Sequence, residues 1–387
     1  MKVLFIAPQP FFRVRGTPIN VLNVVTSLAD HGHEVDLLCY PFGDPVEIPG
    51  VQIIRSPGVP GIRDVKIGPS LAKFPLDGFL FFKALGLCRR GSYDVIHAVE
   101  ESAFFAVLLK RWFKTRLIYD MDSMISDQLR YSRFISWGWV LRLVERMEAW
   151  AARESDIVLT VCQSLTDGIL ALAPDARVVQ IEDAPLQEAH IPDEASAGRI
   201  RNAHGLQGAR VIVYTGNLER YQGIELLVQA ADAVMKAIPE AHFLIVGGTD
   251  EHLTNLKQLT VAQGVADHFT FTGAQPMEDM PSYLTLADVL VSPRIEGTNT
   301  ALKIYTYMQA AKPIVATRLT THTQVLDDQT AMLVESEPAA FAQGLIDVLL
   351  NPECGKALGK ACAERVEQEY SLNIFRKKVQ ETYGLIR

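Results

Sequence analysis

The sequence predicts an α/β protein made of two Rossmann-like domains, each a doubly wound parallel sheet, facing a central cleft. Three observations point there. At 387 residues the chain exceeds what one hydrophobic core supports, and its 48% apolar content is that of a packed protein. Its strands read as unbroken apolar runs, Val3-Leu4-Phe5-Ile6-Ala7 for instance, as a strand covered on both faces does. The alternation of such runs with helical segments breaks at a polar stretch, 188–208, and then begins again.

Taken in order, the first strand spans 2–7 and a loop follows to Gly16. Thr17-Pro18 reads as an N-cap with proline at the first helical position, and Gly32 stops that helix after His31. Further strands are expected at 34–40, 51–55, 94–98, 116–119, 157–161 and 178–181. The stretch 188–208, with its prolines, glycines and charges, reads as a linker. The second half opens with a strand at 210–215 and a helix at 223–238. Strands at 242–246, 269–272, 289–292, 313–317 and 331–334 complete it, and 352–387 reads as charged helix. In sheets of this kind ligands bind beyond the carboxyl ends of the strands, here in the cleft between two facing sheets.

Composition excludes several functions. A net charge of −8 and a pI near 5.6 argue against nucleic acid as a partner. Five scattered cysteines without a C-x-x-C pair read as buried free thiols of a reducing compartment. The chain enters a strand at Lys2 with no basic leader, and no apolar run reaches membrane-spanning length, so a cytoplasmic protein is expected. From residue 60 to 150, however, 14 Lys+Arg stand against 10 Asp+Glu, interleaved with aromatics, as in 129–143, 111–114 and 79–90. That local excess suits an anionic membrane surface, at whose inner face the protein would be peripheral; core-facing aromatics with ordinary flanking charges would read the same.

Chemistry concentrates at strand ends. After the strand at 289–292 comes Arg294-Ile295-Glu296-Gly297-Thr298-Asn299-Thr300-Ala301-Leu302-Lys303, running into a helix. A helix start presents amides that attract phosphate, and a nearby carboxylate can take hydroxyls. Thr215-Gly216-Asn217-Leu218-Glu219-Arg220-Tyr221-Gln222-Gly223 opens the second half in the same way: Gly216 permits close approach and Arg220 is a planar donor for phosphate, or the loop is simply solvated surface. Near the start, Gly16 would admit a ligand to the backbone and Arg15 would supply charge, unless this is an ordinary strand–helix turn. No G-x-G-x-x-G is present, which counts against a nicotinamide dehydrogenase. His97 follows the 94–96 run, with Glu100 and Glu101 beyond it, and Asp120-Met121-Asp122 ends the next strand. Such a D-x-D pair can hold a divalent metal, but two aspartates are commoner as loop anchors.

Together these residues resemble the family-4 glycosyltransferases of the GT-B fold over nearly the whole chain. The carriers are the opening strand and loop to Gly16, Tyr93-Asp94-Val95-Ile96-His97-Ala98, Tyr214-Thr215-Gly216-Asn217-Leu218, Leu244-Ile245-Val246-Gly247-Gly248 and the stretch from Glu296 to Val315. The resemblance implies domains at 1–195 and 196–365, with a C-terminal helical segment, 366–387, crossing back to the first. It implies a nucleotide-sugar donor, a UDP-sugar foremost, held by the second domain, and a glycan or lipid-linked acceptor held by the first. Transfer would retain anomeric configuration without an essential metal or other cofactor. The donor side would comprise Gly16, Gly216, Asn217, Arg220, Gln222, Arg294, Gly297, Thr298, Asn299, Thr300, Ala301, Leu302, Lys303 and Thr306. Asp122, His97 and Glu296 would carry the chemistry, with Arg15, Glu100 and Asp120 on the acceptor side.

Departures from the family pattern are local. Thr306 stands where the second glutamate of the Glu-x7-Glu motif, the ribose ligand, is expected, and the loop from Glu296 is two residues longer than usual. Asn217 and Gln222 occupy the positions of the pyrophosphate-binding arginine and lysine, leaving Arg220, Arg294 and Lys303 to supply the charge. Asp122 falls at or near a position where many members carry histidine. A nucleotide-sugar epimerase and a non-catalytic sugar-nucleotide-binding protein are the alternatives.

Overall fold

The computed structural model describes residues 1–13, 16–65, 70–132, 137–185 and 188–386, with backbone alone at 131 and 132. They form two compact units, Met1–Asp183 with Asn373–Arg387, and Ala184–Leu372. Residues 184–195 and 366–372 group with the second unit, and the chain returns to the first at Asn373.

The first unit holds β1 (Lys2–Ala7), α1 (Gly16–Asp30), β2 (Glu34–Cys39), β3 (Val51–Arg55), α2 (Lys73–Arg90), β4 (Val95–Val99), α3 (Ser102–Phe113), β5 (Arg116–Met121), α4 (Ile125–Ser132), α5 (Gly138–Glu154), β6 (Ile157–Thr160), α6 (Gln163–Leu172) and β7 (Val178–Gln180). Its seven strands run parallel in the order β3-β2-β1-β4-β5-β6-β7. β1 pairs with β2 on one side and β4 on the other, so the order reverses there, the place beyond whose carboxyl ends such sheets hold ligands. The apolar runs are explained by burial on both faces. Leu4, Ile6, Ile96, Ala98 and Tyr119 pack under Leu76, Leu80, Ala106 and Ala152 of α2, α3 and α5. Each fully buried aliphatic side chain of this kind contributes about 1.5–3 kcal/mol.

The second unit holds α7 (Glu194–Ala203), β8 (Arg210–Thr215), α8 (Ile224–Ala237), β9 (Ala241–Val246), α9 (Asp250–Ala262), β10 (Phe269–Gly273), α10 (Met280–Leu286), β11 (Val289–Ser292), α11 (Leu302–Gln309), β12 (Ile314–Thr317), α12 (Thr320–Thr323), β13 (Met332–Val334), α13 (Pro338–Leu350) and α14 (Pro352–Arg365). A π-helical turn, Val366–Tyr370, leads into α15 (Leu372–Gly384). The parallel order is β10-β9-β8-β11-β12-β13, with the reversal between β8 and β11. α8 and α13 cover one face of this sheet through Leu227, Ala231, Phe341 and Leu345, while Leu284, Ile304, Tyr307 and Met308 of α10 and α11 cover the other.

Three expectations are corrected. The 188–208 stretch is not a linker: it contains α7, capped by the Asp193 side chain, which accepts from the Ser196 amide at 2.8 Å. This helix was illegible because it buries so little, Ala197 above all. The first helix begins at Gly16, so Thr17 lies inside it rather than capping it. Four cysteines are buried, but Cys354 is exposed on α14.

Candidate functional site

In the second unit the reversal between β8 and β11 brings two loops together. The Ile295 amide donates to the Tyr221 carbonyl at 3.0 Å. Gly223, at φ +72°, allows this: a Cβ there would lie 2.0 Å from the Pro293 carbonyl oxygen. Residues 294–299 are then pinned from behind by β12 and α12. Thr317 Oγ1 donates to the Arg294 carbonyl at 2.6 Å, and Gln324 Nε2 donates to the Thr298 carbonyl at 2.9 Å. The Asn299 carbonyl accepts from Thr321 Oγ1 at 2.5 Å and from Arg294 Nη1 at 2.9 Å.

With these carbonyls tied down, the loop delivers α11 with an open start. Its N-cap is Ala301, and no side chain caps it. Among the described residues the amides of Thr300, Ala301, Leu302 and Lys303 meet no acceptor. Four orphan donors at the positive end of a helix form an anion site.

Two cations lie beside it without a carboxylate partner among the described residues. Lys303 Nζ donates to Gln222 Oε1 at 2.9 Å and stands 3.8 Å from the centroid of the Tyr214 ring. Burial, reinforced by Arg294, pushes its ammonium well below the ordinary lysine value. Arg294 donates to Thr321 Oγ1 at 2.5 Å, stacks 5.1 Å from the Tyr221 ring, and leaves its buried Nε unpaired. Burial likewise lowers its pKa. Gly216, at φ +137°, keeps the front of Lys303 open; a Cβ there would stand 3.6 Å from Nζ. A charged pair so poor in counter-charge is stabilised by an incoming anion.

The other donor-side candidates divide. Thr300 Oγ1 and Thr306 Oγ1 are buried and have no hydrogen-bond partner among the described residues. Thr306 lines a small crevice with His190, Met277, Met280 and Gln309. Gly297, at φ +120°, and exposed Glu296 sit on the pinned loop. The Asn217 side chain is spent on its own turn, Oδ1 accepting from the Glu219 amide at 3.2 Å. Arg220 lies exposed on the 3-10 turn Arg220–Gln222; the cation that acts on Lys303 is Arg294, whose like charge helps to lower the lysine's pKa. Gly16, on the first unit, begins α1, and among the described residues no atom outside its chain neighbours and its own helix backbone lies within 4 Å of where a Cβ would stand; Arg15 lies outside the described residues.

In the first unit His97 does not follow its strand; it lies inside β4 with no exposed surface. It stacks 4.1 Å from Phe5, its Nε2 donates to Asp120 Oδ2 at 3.0 Å, and its Nδ1 accepts from the Tyr383 hydroxyl of α15 at 2.8 Å. With both nitrogens engaged, His97 positions Asp120 rather than facing solvent. Beyond it Asp122, Asp183 and Glu100 crowd the carboxyl ends of the strands. Burial, then Asp120, Asp183 and Glu100, raise Asp122 well above the carboxylate range, while Asn20 Nδ2 opposes this by donating to its Oδ1 at 2.9 Å. Burial, Asp120 and Glu182 push Asp183 up to about 7. Glu100, at φ +47°, is raised by burial and accepts from Ser123 Oγ at 2.9 Å. Among the described residues no group of three or more His, Cys, Asp or Glu has a metal-holding arrangement. Sequence reasoning missed Asn20, Asp183 and Thr321, because each reaches its partner only through the folding of distant elements.

Comparison with known proteins identifies the family. Residues 15–183 match the family described as glycosyl transferase 4-like domain, and residues 209–351 match glycosyl transferases group 1. A phosphatidyl-myo-inositol mannosyltransferase of Mycobacterium leprae is 22% identical over 396 residues, covering 100% of this chain and 97% of the relative. A GDP-mannose-dependent alpha-(1-6)-phosphatidylinositol monomannoside mannosyltransferase of Mycolicibacterium smegmatis is 27% identical over 234 residues; the match covers 58% of this chain and 61% of the relative's length. Among solved structures, HepE of Anabaena in complex with UDP superposes with a TM-score of 0.78 at 15% identity, covering 99% of this chain and 100% of that one, which speaks to the fold. Its two Rossmann-like halves each match a glycosyltransferase domain, and the chain belongs to the GT-B glycosyltransferases of the 4-like and group 1 type.

Proposed function

We propose that the protein is a retaining glycosyltransferase of the hexosyltransferase type, moving a sugar from a nucleoside-diphosphate donor to a glycan or lipid-linked acceptor. One observation carries the reading: α11 starts with uncapped amides beside Lys303 and Arg294, two cations that lack a carboxylate partner among the described residues. A diphosphate supplies the missing counter-charge. As the glycosidic bond breaks, negative charge grows on the departing phosphate, and fixed donors aimed at it lower the barrier. In this assignment Glu296 takes sugar hydroxyls, Thr306 lies on the nucleoside side, and Asp122 with Asn20 belongs to the acceptor side. Attack from the face the phosphate leaves gives retention.

Lys303, Arg294 and the helix start supply the positive charge that a metal would otherwise bring, so the reading calls for no divalent ion. UDP- and GDP-linked hexoses are the donor class; the GDP-mannose in one relative's name supports the latter. The phosphatidylinositol-directed names of the relatives support a lipid-linked acceptor; in this reading the protein meets it at the cytoplasmic face of an anionic membrane. Among the described residues no helix is long and apolar enough to cross one.

Purified protein incubated with UDP-, GDP- and ADP-hexoses, with and without extracted lipid acceptors, tests the proposal by mass spectrometry and NMR. It expects transfer to acceptor and loss of that transfer in Lys303→Ala. Binding of no nucleotide sugar, or full activity in the variant, defeats it. Sugar conversion without acceptor would indicate an epimerase. Tight binding without turnover would indicate a binding protein, a reading favoured by the neutral Asn217, Gln222 and Thr306.

A further inference from the structure

The helical layer over one face of the first sheet has an unusual outer side. In α2, Leu76, Leu80, Ala84 and Cys88 recur every four residues and are buried. That periodicity alone would leave polar residues outside. Instead Phe74, Phe79 and Phe82 are 73%, 41% and 67% exposed. The one acid of α2, Asp77, accepts a hydrogen bond from the Tyr40 hydroxyl, which belongs to the buried core. Lys83, Arg89 and Arg90 are the remaining charges beyond Lys73, which pairs with Glu101.

The first turns of α5 repeat the pattern. Trp137, Trp139 and Leu143 are 64%, 62% and 48% exposed, and Arg142 and Arg146 share their side of the helix. The acids of this helix are engaged: Glu148 with the Ile125 amide at 2.6 Å, Glu145 with Arg130 at 3.0 Å, and Glu154 with Arg111 at 2.6 Å. α2, α3 and α5 pack on the same face of the sheet through one core, so their outer sides look the same way. Trp112 of α3, 57% exposed, continues the aromatic surface and lies 6.3 Å from Phe81 of α2.

We propose that this outer side of α2, α3 and α5 is a docking surface for an anionic lipid bilayer. The proposal deepens the membrane element of the reading above without depending on the donor chemistry. Charge complementarity selects the occupant. Lys83, Arg89, Arg90, Arg142 and Arg146 have no carboxylate partner among the described residues, in a chain whose net charge is −8. A two-fold dimer through this surface would set cations against cations. Exposed tryptophans beside arginines suit the headgroup boundary, where ring bodies meet chains and cations meet phosphate. So many exposed large apolar side chains on one helical layer are rare on proteins without a partner for them.

Full-length protein is mixed with vesicles of phosphatidylcholine alone or blended with phosphatidylglycerol, and sedimentation and tryptophan quenching by chain-brominated lipid are read. The anionic vesicles should bind the protein, salt should release it, and quenching should accompany binding. R89E/R90E should lose about fivefold in partitioning for each cation removed. F82S/W139S should lose about tenfold or more. Both variants should keep the wild-type circular dichroism and nucleotide affinity. Equal recovery with the two vesicle types, absence of quenching, wild-type partitioning in both variants, or a solution dimer that F82S/W139S dissociates would each overturn the proposal. Failure here leaves nucleotide binding untouched, so the two readings fail separately.

Discussion

Replacing Lys303 with alanine removes one charged donor from a loop whose other members are fixed by neighbours. Among the described residues the lysine bonds only to the neutral Gln222 side chain and rests on the Tyr214 ring, so the folded protein loses little by its removal. A hydrogen bond involving an ionised partner is worth about 1.5–3 kcal/mol, which is a loss of roughly 10- to 150-fold in affinity for a nucleoside diphosphate. Turnover should fall further, by about 100- to 1,000-fold, because the leaving phosphate carries more negative charge in the transition state than in the bound donor. Stability supplies an independent readout. Lys303 holds its proton less tightly in the fold than in the unfolded chain, so the unfolded state binds more protons as pH approaches the ordinary lysine value. Wild-type stability should therefore gain with rising alkaline pH from this group, and Lys303→Ala should lose that gain. Calorimetric titration with UDP and GDP, with denaturant melts at neutral and alkaline pH, reads both effects. Nucleotide affinity within twofold of wild type would refute the reasoning.

Gly216→Val forces a β-branched residue to φ +137° and places its Cβ 3.3 Å from the Tyr214 hydroxyl and 3.6 Å from Lys303 Nζ. It should cost about 1–3 kcal/mol in strain and weaken nucleotide binding at least tenfold, read by melting and calorimetry. Asp183 is held at about 7 by burial, Asp120 and Glu182, so its contribution to stability falls as pH climbs from about 4 to 7. Asp183→Asn escapes that loss, and its melting temperature should exceed wild type by more at pH 8 than at pH 5; an unchanged gap would count against the buried carboxylate cluster. Transferase activity should survive an excess of chelator, whereas restoration by added divalent ion would show that Lys303 and Arg294 do not suffice.

What the sequence disclosed follows from what each feature depends on. The strands of both sheets stood out because Leu4, Ile6, Leu244 and Leu290 are buried within two-sided layers, which leaves an apolar run. The α11 start was legible because strand, glycine loop and helix are consecutive. Choosing among the cations was not a local matter. Arg294 reaches Lys303's surroundings because Thr317, Thr321 and Gln324 anchor its loop from another strand and helix, while Arg220 stays exposed on its turn. His97 misled because a histidine at a strand's apparent end resembles a ligand, whereas β4 continues to Val99 and Tyr383 arrives from 286 residues away. The aromatic stretch reads in sequence as core or as membrane surface, and which of its rings are exposed is visible only once the buried faces of α2 and α5 are known. Its residues 133–136 lie outside the described ones.

A crystal structure with UDP or GDP bound addresses the central claim directly. The account predicts diphosphate oxygens about 2.7–3.2 Å from the amides at 300–303, with Lys303 Nζ turned from Gln222 onto the phosphate. A diphosphate seated elsewhere, with the start of α11 contacting none of it, would contradict the account.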